Sequence, residues 1–143
     1  MKKNENDFDW DEAVVYFMMT DRFFDGNESN NTASGADTYG KNNPGLYHGG
    51  DFAGVTAKLD YLQDLGVNTI WLTPIVENVK GVAVTDEGKE DVPYNAAYHG
   101  YWASDFTKLN PTLGTTEEFE TMISEAHKRG MRIMAVSYTH LRA

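Results

Sequence analysis

Leu59-Asp60-Tyr61-Leu62-Gln63-Asp64-Leu65-Gly66-Val67-Asn68-Thr69-Ile70-Trp71-Leu72-Thr73-Pro74 changes its periodicity at one glycine. Up to Gly66, the residues Phe52, Val55, Leu59, Leu62 and Leu65 recur at steps of three and four. That spacing puts an apolar stripe on one face of a helix, and glycine suits the left-handed residue that ends one. From Val67 to Leu72 the side chains are mostly β-branched, aromatic or aliphatic, as in a buried strand, and Pro74 halts the run. Upstream, Ala13-Val14-Val15-Tyr16-Phe17-Met18-Met19 is a continuous apolar run that predicts a first strand buried on both faces. Downstream, Thr115-Thr116-Glu117-Glu118 has capping-box spacing and opens a helix. Phe119, Met122, Ile123 and Ala126 form its buried stripe, and His127, Lys128 and Arg129 occupy its last turn, before Gly130. Met131 to Val136 predicts a third strand.

Strand, helix, strand, helix, strand with buried apolar strands is the pattern of a parallel α/β sheet with right-handed crossovers. A doubly wound nucleotide-binding sheet would place a glycine-rich phosphate loop after the first strand, and Met18-Met19-Thr20-Asp21-Arg22 has no glycine. A (β/α)8 TIM barrel instead carries its functional loops after the strands. Here the segments after strands 1 and 2, about residues 20–50 and 75–114, are long and irregular. Gly81, Asp86-Glu87-Gly88 and Pro93 mark turns in the second. The connections after the helices are short. The expected fold class is therefore α/β, an incomplete (β/α)8 barrel comprising the first three strand–helix steps with long loops after strands 1 and 2. A complete barrel takes about 250 residues and this chain has 143. Residues 1–12 read as a lead-in that docks through Phe8 and Trp10, residues 13–135 as the amino-terminal part of the barrel, and residues 136–143 as a non-native tail.

The balance of 12 Lys and Arg against 22 Asp and Glu gives a formal net charge of −10, which disfavours nucleic acid and anionic membranes as partners. The absence of Cys removes disulfides, thiolate metal sites and cysteine nucleophiles. No apolar stretch reaches the roughly 20 residues that cross a bilayer, and no signal segment follows Lys2 and Lys3.

Two constellations could carry chemistry. Asp25-Gly26-Asn27-Glu28-Ser29-Asn30-Asn31 gathers hard oxygen donors of the kind calcium takes, and Gly49-Gly50-Asp51 could return a carboxylate to them. It is not an EF-hand, since counting from Asp25 puts Asn30 where that motif needs glycine and Ala36 where it needs glutamate. On composition alone an ordinary Asx-rich turn is the commoner reading. Tyr94-Asn95-Ala96-Ala97-Tyr98-His99-Gly100-Tyr101-Trp102 joins planar rings to an imidazole just after strand 2. Rings stack on apolar sugar faces while His or Asn bonds hydroxyls, and packing of a long loop is an equal alternative. His127 reads as a helix-end charge and His48 as a loop residue, and no zinc spacing occurs.

Five stretches in order resemble the amino-terminal part of the α-amylase family, glycoside hydrolase family 13, and within it the calcium-dependent amylases and cyclodextrin glucanotransferases. They are Tyr16 to Asn31 with its Thr-Asp-Arg-Phe-x-Asp-Gly-Asn core, Gly49 to Gly54, Leu65 to Pro74, Tyr98 to Trp102, and Ala126 to Met131. The resemblance implies a structural calcium held by Asp25, Asn27, Asn30, Asn31, the Gly49 carbonyl and Asp51. It implies that His99 bonds and Tyr101 stacks on the sugar next to the scissile bond, with Trp102 contacting a neighbouring subsite. It also implies cleavage of α-1,4-glucosidic bonds of starch or related glucans with retention, by two carboxyl groups about 5–5.5 Å apart. Those groups belong to later strands, so no catalytic residue is assigned in this chain, and Asp21, Asp25 and Asp105 are not substitutes.

After Met134 the family pattern Asp-Val-Val-x-Asn-His is not followed; Val136-Ser137-Tyr138-Thr139-His140-Leu141 stands in its place. A parent that is secreted or periplasmic and monomeric, with this chain inactive and poorly soluble alone, is the expectation. The other expectations kept open are a glucanotransferase parent, a non-catalytic carbohydrate-binding or scaffold protein, and, least supported, a nucleotide-dependent α/β enzyme.

Overall fold

The structure is a computed structural model that describes residues 8–82 and 95–136. In chain order it contains β1 (Val15–Met18), α1 (Phe52–Ala57), α2 (Leu59–Asp64), β2 (Thr69–Leu72), β3 (Val76–Asn78), β4 (Ala103–Leu109), α3 (Thr116–Lys128) and β5 (Arg132–Ala135). Short 3-10 turns precede β1 and punctuate the segment that follows it.

β1, β2 and β5 form one sheet in that order, and both pairings are parallel. Tyr16 lies opposite Ile70 and Ile70 opposite Ile133, so the three expected strands are in register. Met18, Ile70 and Leu72 join Phe52, Val55, Leu59, Leu62, Met122, Ala126 and Met131 in a single buried core. Successive strand residues point to opposite faces, and the other face is not in that core: Val15, Phe17 and Trp71 are exposed, with the Phe17 and Trp71 rings edge-on at 5.0 Å. The expectation that strand 1 is buried on both faces is thereby corrected. The described helices cover one side of the sheet, so burial along β1 alternates.

A second correction concerns the helix after the first loop. Its stripe is there, with Phe52, Val55, Leu59 and Leu62 fully buried, but the helix is broken into α1 and α2 at Lys58, where φ is −110° and ψ 9°. The Thr56 hydroxyl donates to the Phe52 carbonyl at 2.9 Å, a bond back to residue i−4 that bends helices. Leu65, counted in the stripe, falls past the end of α2 and is exposed. The third correction is in the segment 75–114, expected to be irregular. β3 and β4 pair antiparallel there with register shifts, Val76 opposite Leu109 and Asn78 opposite Ala103. β4 carries Asp105 and Lys108, and its Phe106 is exposed, so it shows no alternation to read. Asp86, Glu87, Gly88, Pro93 and Tyr94 lie outside the described residues, as do residues 1–7 and 137–143, which include His140.

The capping box forms as its spacing predicts. Glu118 N donates to Thr115 Oγ at 3.2 Å and Thr115 N to Glu118 Oε2 at 2.8 Å. Packing of Phe119 on Phe52, 5.0 Å between ring centres, then seats α3 on α1. Ahead of β1, Phe8 and Trp10 meet edge-on and the Arg132 guanidinium lies over Phe8. Among the described residues no helix is long and apolar enough to cross a membrane.

Candidate functional site

Both long loops spring from the carboxyl ends of parallel strands, and buried polar groups tie the first one together. Asp21, three residues past the end of β1, accepts the His48 amide on both carboxylate oxygens at 3.0 Å and the Gly49 amide at 3.2 Å. Burial pushes the Asp21 carboxyl above its ordinary range, against the opposing pull of the His48 amide and the Arg22 guanidinium. Gly50 N donates to the Asp21 carbonyl and Asp51 N to that of Phe24, which holds the two ends of the loop side by side. Asp51 is fully buried. Its Oδ1 accepts from Gly26 N and Gly54 N and its Oδ2 from Asn27 N and Asn30 Nδ2, all between 2.7 and 3.0 Å, while it caps α1. A carboxylate with four donors is fully satisfied within the protein.

Next to it are groups that are not satisfied. Asp25 Oδ1, Asn30 Oδ1 and Asn31 Oδ1 are buried side-chain oxygens without a hydrogen-bond partner among the described residues, and Thr20 Oγ is the fourth such atom. Asn31 Nδ2 donates to Asp25 Oδ2 at 2.9 Å. Gly49 has φ +93°, and a Cβ there would lie 2.5 Å from Asp25 Oδ2 and 2.6 Å from Asn31 Oδ1, so only glycine lets this backbone approach so closely. Lys41 Nζ is 3.6 Å from Asp25 Oδ2. Asn27 accepts from the Ser29 amide and hydroxyl through Oδ1 and donates to Glu118 Oε1 through Nδ2.

The six residues expected to hold calcium therefore divide. Asp25, Asn31 and Gly49 meet directly, and Asn27 and Asn30 gather on Asp51. Asn30 belongs to both groups, since its amide nitrogen bonds Asp51 and its oxygen is unpartnered. No group of three or more His, Asp or Glu that could hold a metal occurs among the described residues. The set here has two carboxylates, and its remaining donors are amide and peptide oxygens. Hard oxygen donors with no nitrogen or sulfur suit Ca²⁺, and orphaned buried acceptors are what a cation would satisfy.

The second loop is pinned above β2. Gly100 has φ +85°, and a Cβ there would collide with the carbonyl oxygen of Pro74, just beyond the strand. Trp102 N donates to the buried Asn78 Oδ1 at 2.7 Å, and Val79 N to the Trp102 carbonyl at 2.9 Å. The structure brings His99, Tyr101 and Trp102 together. His99 stacks on Tyr101 with ring centres 5.9 Å apart and planes at 27°, and meets Trp102 edge-on at 4.8 Å. Tyr101 N donates to His99 Nδ1 at 3.0 Å, which leaves Nε2 to carry the ring proton in the neutral tautomer. Burial pushes the His99 pKa below its usual value, favouring that neutral form. The arrangement offers an aromatic face, a directional N–H and exposed edges, which is equipment for holding a polyhydroxy ring. His48 Nε2 lies 3.1 Å from the Asn43 carbonyl.

Sequence reasoning gave no role to Asp21, Arg22 or Asn78, and gave Glu118 only its place in the capping box, not its bond to Asn27. Asp51 followed by Gly54 ahead of an apolar stripe was a legible helix cap; the long-range partners of Arg22 and Glu118 had no local signal.

The family model for the catalytic domain of alpha amylase matches residues 17–137. The chain is 44% identical over 127 residues to the periplasmic alpha-amylase of Escherichia coli (strain K12), covering 89% of this chain and 18% of that protein. It is 40% identical over 133 residues to a cyclomaltodextrin glucanotransferase of Geobacillus stearothermophilus, covering 92% and 18%. Among solved structures, the cyclomaltodextrin glucanotransferase CldA superposes with a TM-score of 0.76 at 35% identity, over 86% of this chain and 24% of that one. An Anoxybacillus alpha-amylase superposes with a TM-score of 0.73 at 37% identity, over 90% and 24%. The chain thus spans less than a quarter of the length of these relatives.

Proposed function

The chain belongs to the α-amylase family, and from that premise we propose that residues 13–135 are the opening part of a catalytic (β/α)8 barrel that cleaves α-1,4-glucosidic bonds with retention. The substrate is a starch-like α-glucan. The observation that carries the reading is the ring cluster of the second loop, held over the end of β2 in a chain whose residues 17–137 match the family's catalytic domain.

In this reading Tyr101 stacks on the sugar beside the scissile bond, His99 donates its Nε2 proton to a sugar hydroxyl, and Trp102 contacts the neighbouring unit. Lowering the His99 pKa keeps the ring neutral, so that it donates one directional hydrogen bond without adding a charge. The nucleophile and the general acid, about 5–5.5 Å apart in retaining enzymes, are contributed by segments outside these 143 residues. The chain alone therefore binds without cleaving. Whether the sugar is passed to water or to another sugar hydroxyl depends on those same segments, and relatives of both kinds are matched.

Asp25, Asn27, Asn30, Asn31, the Gly49 carbonyl and Asp51 would hold a calcium ion, Asp51 giving up one of its four hydrogen bonds to do so, and the ion when bound supplies charge to satisfy oxygens and cross-links the loop. The three orphaned buried oxygens support this. The chain's own residues do the remainder: Asp51 fixes Gly26, Asn27 and Asn30, and Asp21 fixes His48 and Gly49. Export to the periplasm, which the name of the Escherichia coli relative states for that protein, or to the medium is part of the proposal, as is a monomeric parent.

Maltoheptaose incubated with the complete enzyme carrying this segment tests the reading. Release of shorter maltooligosaccharides with α-anomeric ends, or of cyclodextrins, is expected, with none from the 143-residue polypeptide. No cleavage by the complete enzyme, β-anomeric first products, or turnover by the short polypeptide would overturn it.

A further inference from the structure

We infer that Arg22 is a positioning residue that sets the sugar-binding rings through Tyr98, an inference that rests on the reading of His99 and Tyr101 as sugar contacts. Arg22 follows β1 directly, on the first loop, whereas the rings belong to the second. Its Nη1 donates to the Leu46 carbonyl at 2.9 Å and its Nη2 to the Pro44 carbonyl at 2.6 Å, and Asp21 Oδ2 lies 3.3 Å from Nη1. Two carbonyls and a buried carboxylate thus fix the guanidinium plane. The Cζ of that fixed guanidinium lies over the Tyr98 ring, 4.0 Å from its centre.

Tyr98 in turn meets His99 edge-on at 5.2 Å, and His99 stacks on Tyr101 and abuts Trp102. A continuous series of planar contacts therefore runs from the rigid first loop to the rings that face the sugar. The side chain of Arg22 is about three-quarters buried, so the cation–ring attraction is weakly screened by water. A role confined to bracing the first loop would be complete with Pro44, Leu46 and Asp21 and would be indifferent to Tyr98. Lysine cannot replace this group, because one ammonium neither spans two carbonyls in a plane nor presents a flat face to a ring.

The test is a double-substitution cycle on kcat/KM for maltoheptaose in the complete enzyme. Arg22→Lys keeps the charge beside Asp21 and is expected to lose about tenfold in kcat/KM, the scale of a displaced substrate contact, with Tm little changed. Tyr98→Leu loses a similar factor, and Tyr98→Phe, which keeps the ring, stays within about twofold of the unsubstituted enzyme. Adding Arg22→Lys to Tyr98→Leu then costs less than about twofold more, because the path between them is already cut.

Full additivity overturns the inference, as does a lowered Tm with unchanged kinetics of the folded fraction, which is what a loop brace gives. If Arg22→Lys does not fold, the comparison of Tyr98→Phe with Tyr98→Leu decides: equal kcat/KM for the two overturns it. Absence of maltoheptaose turnover by the unsubstituted enzyme overturns the functional reading and this inference together, whereas additivity in an active enzyme overturns this inference alone.

Discussion

Glu118 Oε1 accepts a hydrogen bond from Asn27 Nδ2 at 2.8 Å, so the carboxylate that closes the capping box of α3 also holds the loop after β1. One side chain serves two elements far apart in sequence. It couples the start of α3, and through α3 the strand β5, to the oxygen-rich turn.

Two substitutions separate these duties. Thr115→Ala removes the hydroxyl arm of the cap and is expected to cost about 1 kcal/mol, the usual value for a lost cap. Glu118→Ala removes the reciprocal arm and leaves the Asn27 amide unpaired, and is expected to cost about 2 kcal/mol. Urea midpoints at unchanged slope measure both. Equal losses would mean that the Asn27 bond contributes nothing to stability.

What could be read from sequence follows from where the information is stored. Val67 to Leu72 and the stripe of Phe52, Val55, Leu59 and Leu62 are patterns of side-chain polarity, and each becomes the expected element. The break at Lys58 is not such a pattern, since the apolar stripe runs through it intact and the hydroxyl bond of Thr56 to the Phe52 carbonyl leaves no mark on side-chain polarity. β4 escaped because its pairing with β3 bridges a long insertion and its side chains do not alternate. The site behaved the same way. Residue types and local order marked Asp25 to Asn31 and Tyr98 to Trp102, whereas the contact of Arg22 with Tyr98 and the four donors on Asp51 exist only after the chain has turned back on itself.

The oxygen cluster makes a prediction about metal. If calcium binds the folded chain and not the unfolded one, a free concentration one hundred times Kd adds about 2.7 kcal/mol of stability. Chelation should then lower the Tm of the complete enzyme by several degrees. Asp25→Asn removes the charge but not the shape of a side chain whose Oδ1 is buried and unpartnered, and should flatten the dependence of Tm on calcium. Gly49→Ala should do the same, because its Cβ would lie 2.5 Å from Asp25 Oδ2 in a backbone conformation that disfavours alanine. A Tm indifferent to chelation would leave the Asp25 segment an ordinary Asx turn.

His99 links the rings to pH. Burial lowers its pKa from the ordinary 6.5, so in the window just below that value an unfolded chain binds a proton that the folded chain does not. Stability rises with pH wherever the unfolded state holds more protons. The contribution is therefore fully present above the unfolded pKa, declines as pH falls below it, and is lost once pH has passed through the folded pKa. Protonation at Nδ1 would also remove the acceptor for the Tyr101 amide, loosening the turn that presents both rings. Two measurements check this: the His99 ring shifts followed by NMR should titrate below the ordinary imidazole value, and His99→Asn should reduce the slope of stability against pH in the window just below 6.5. Titration at or above the ordinary value, or an unchanged slope in the variant, would show that the ring is not held neutral by its surroundings.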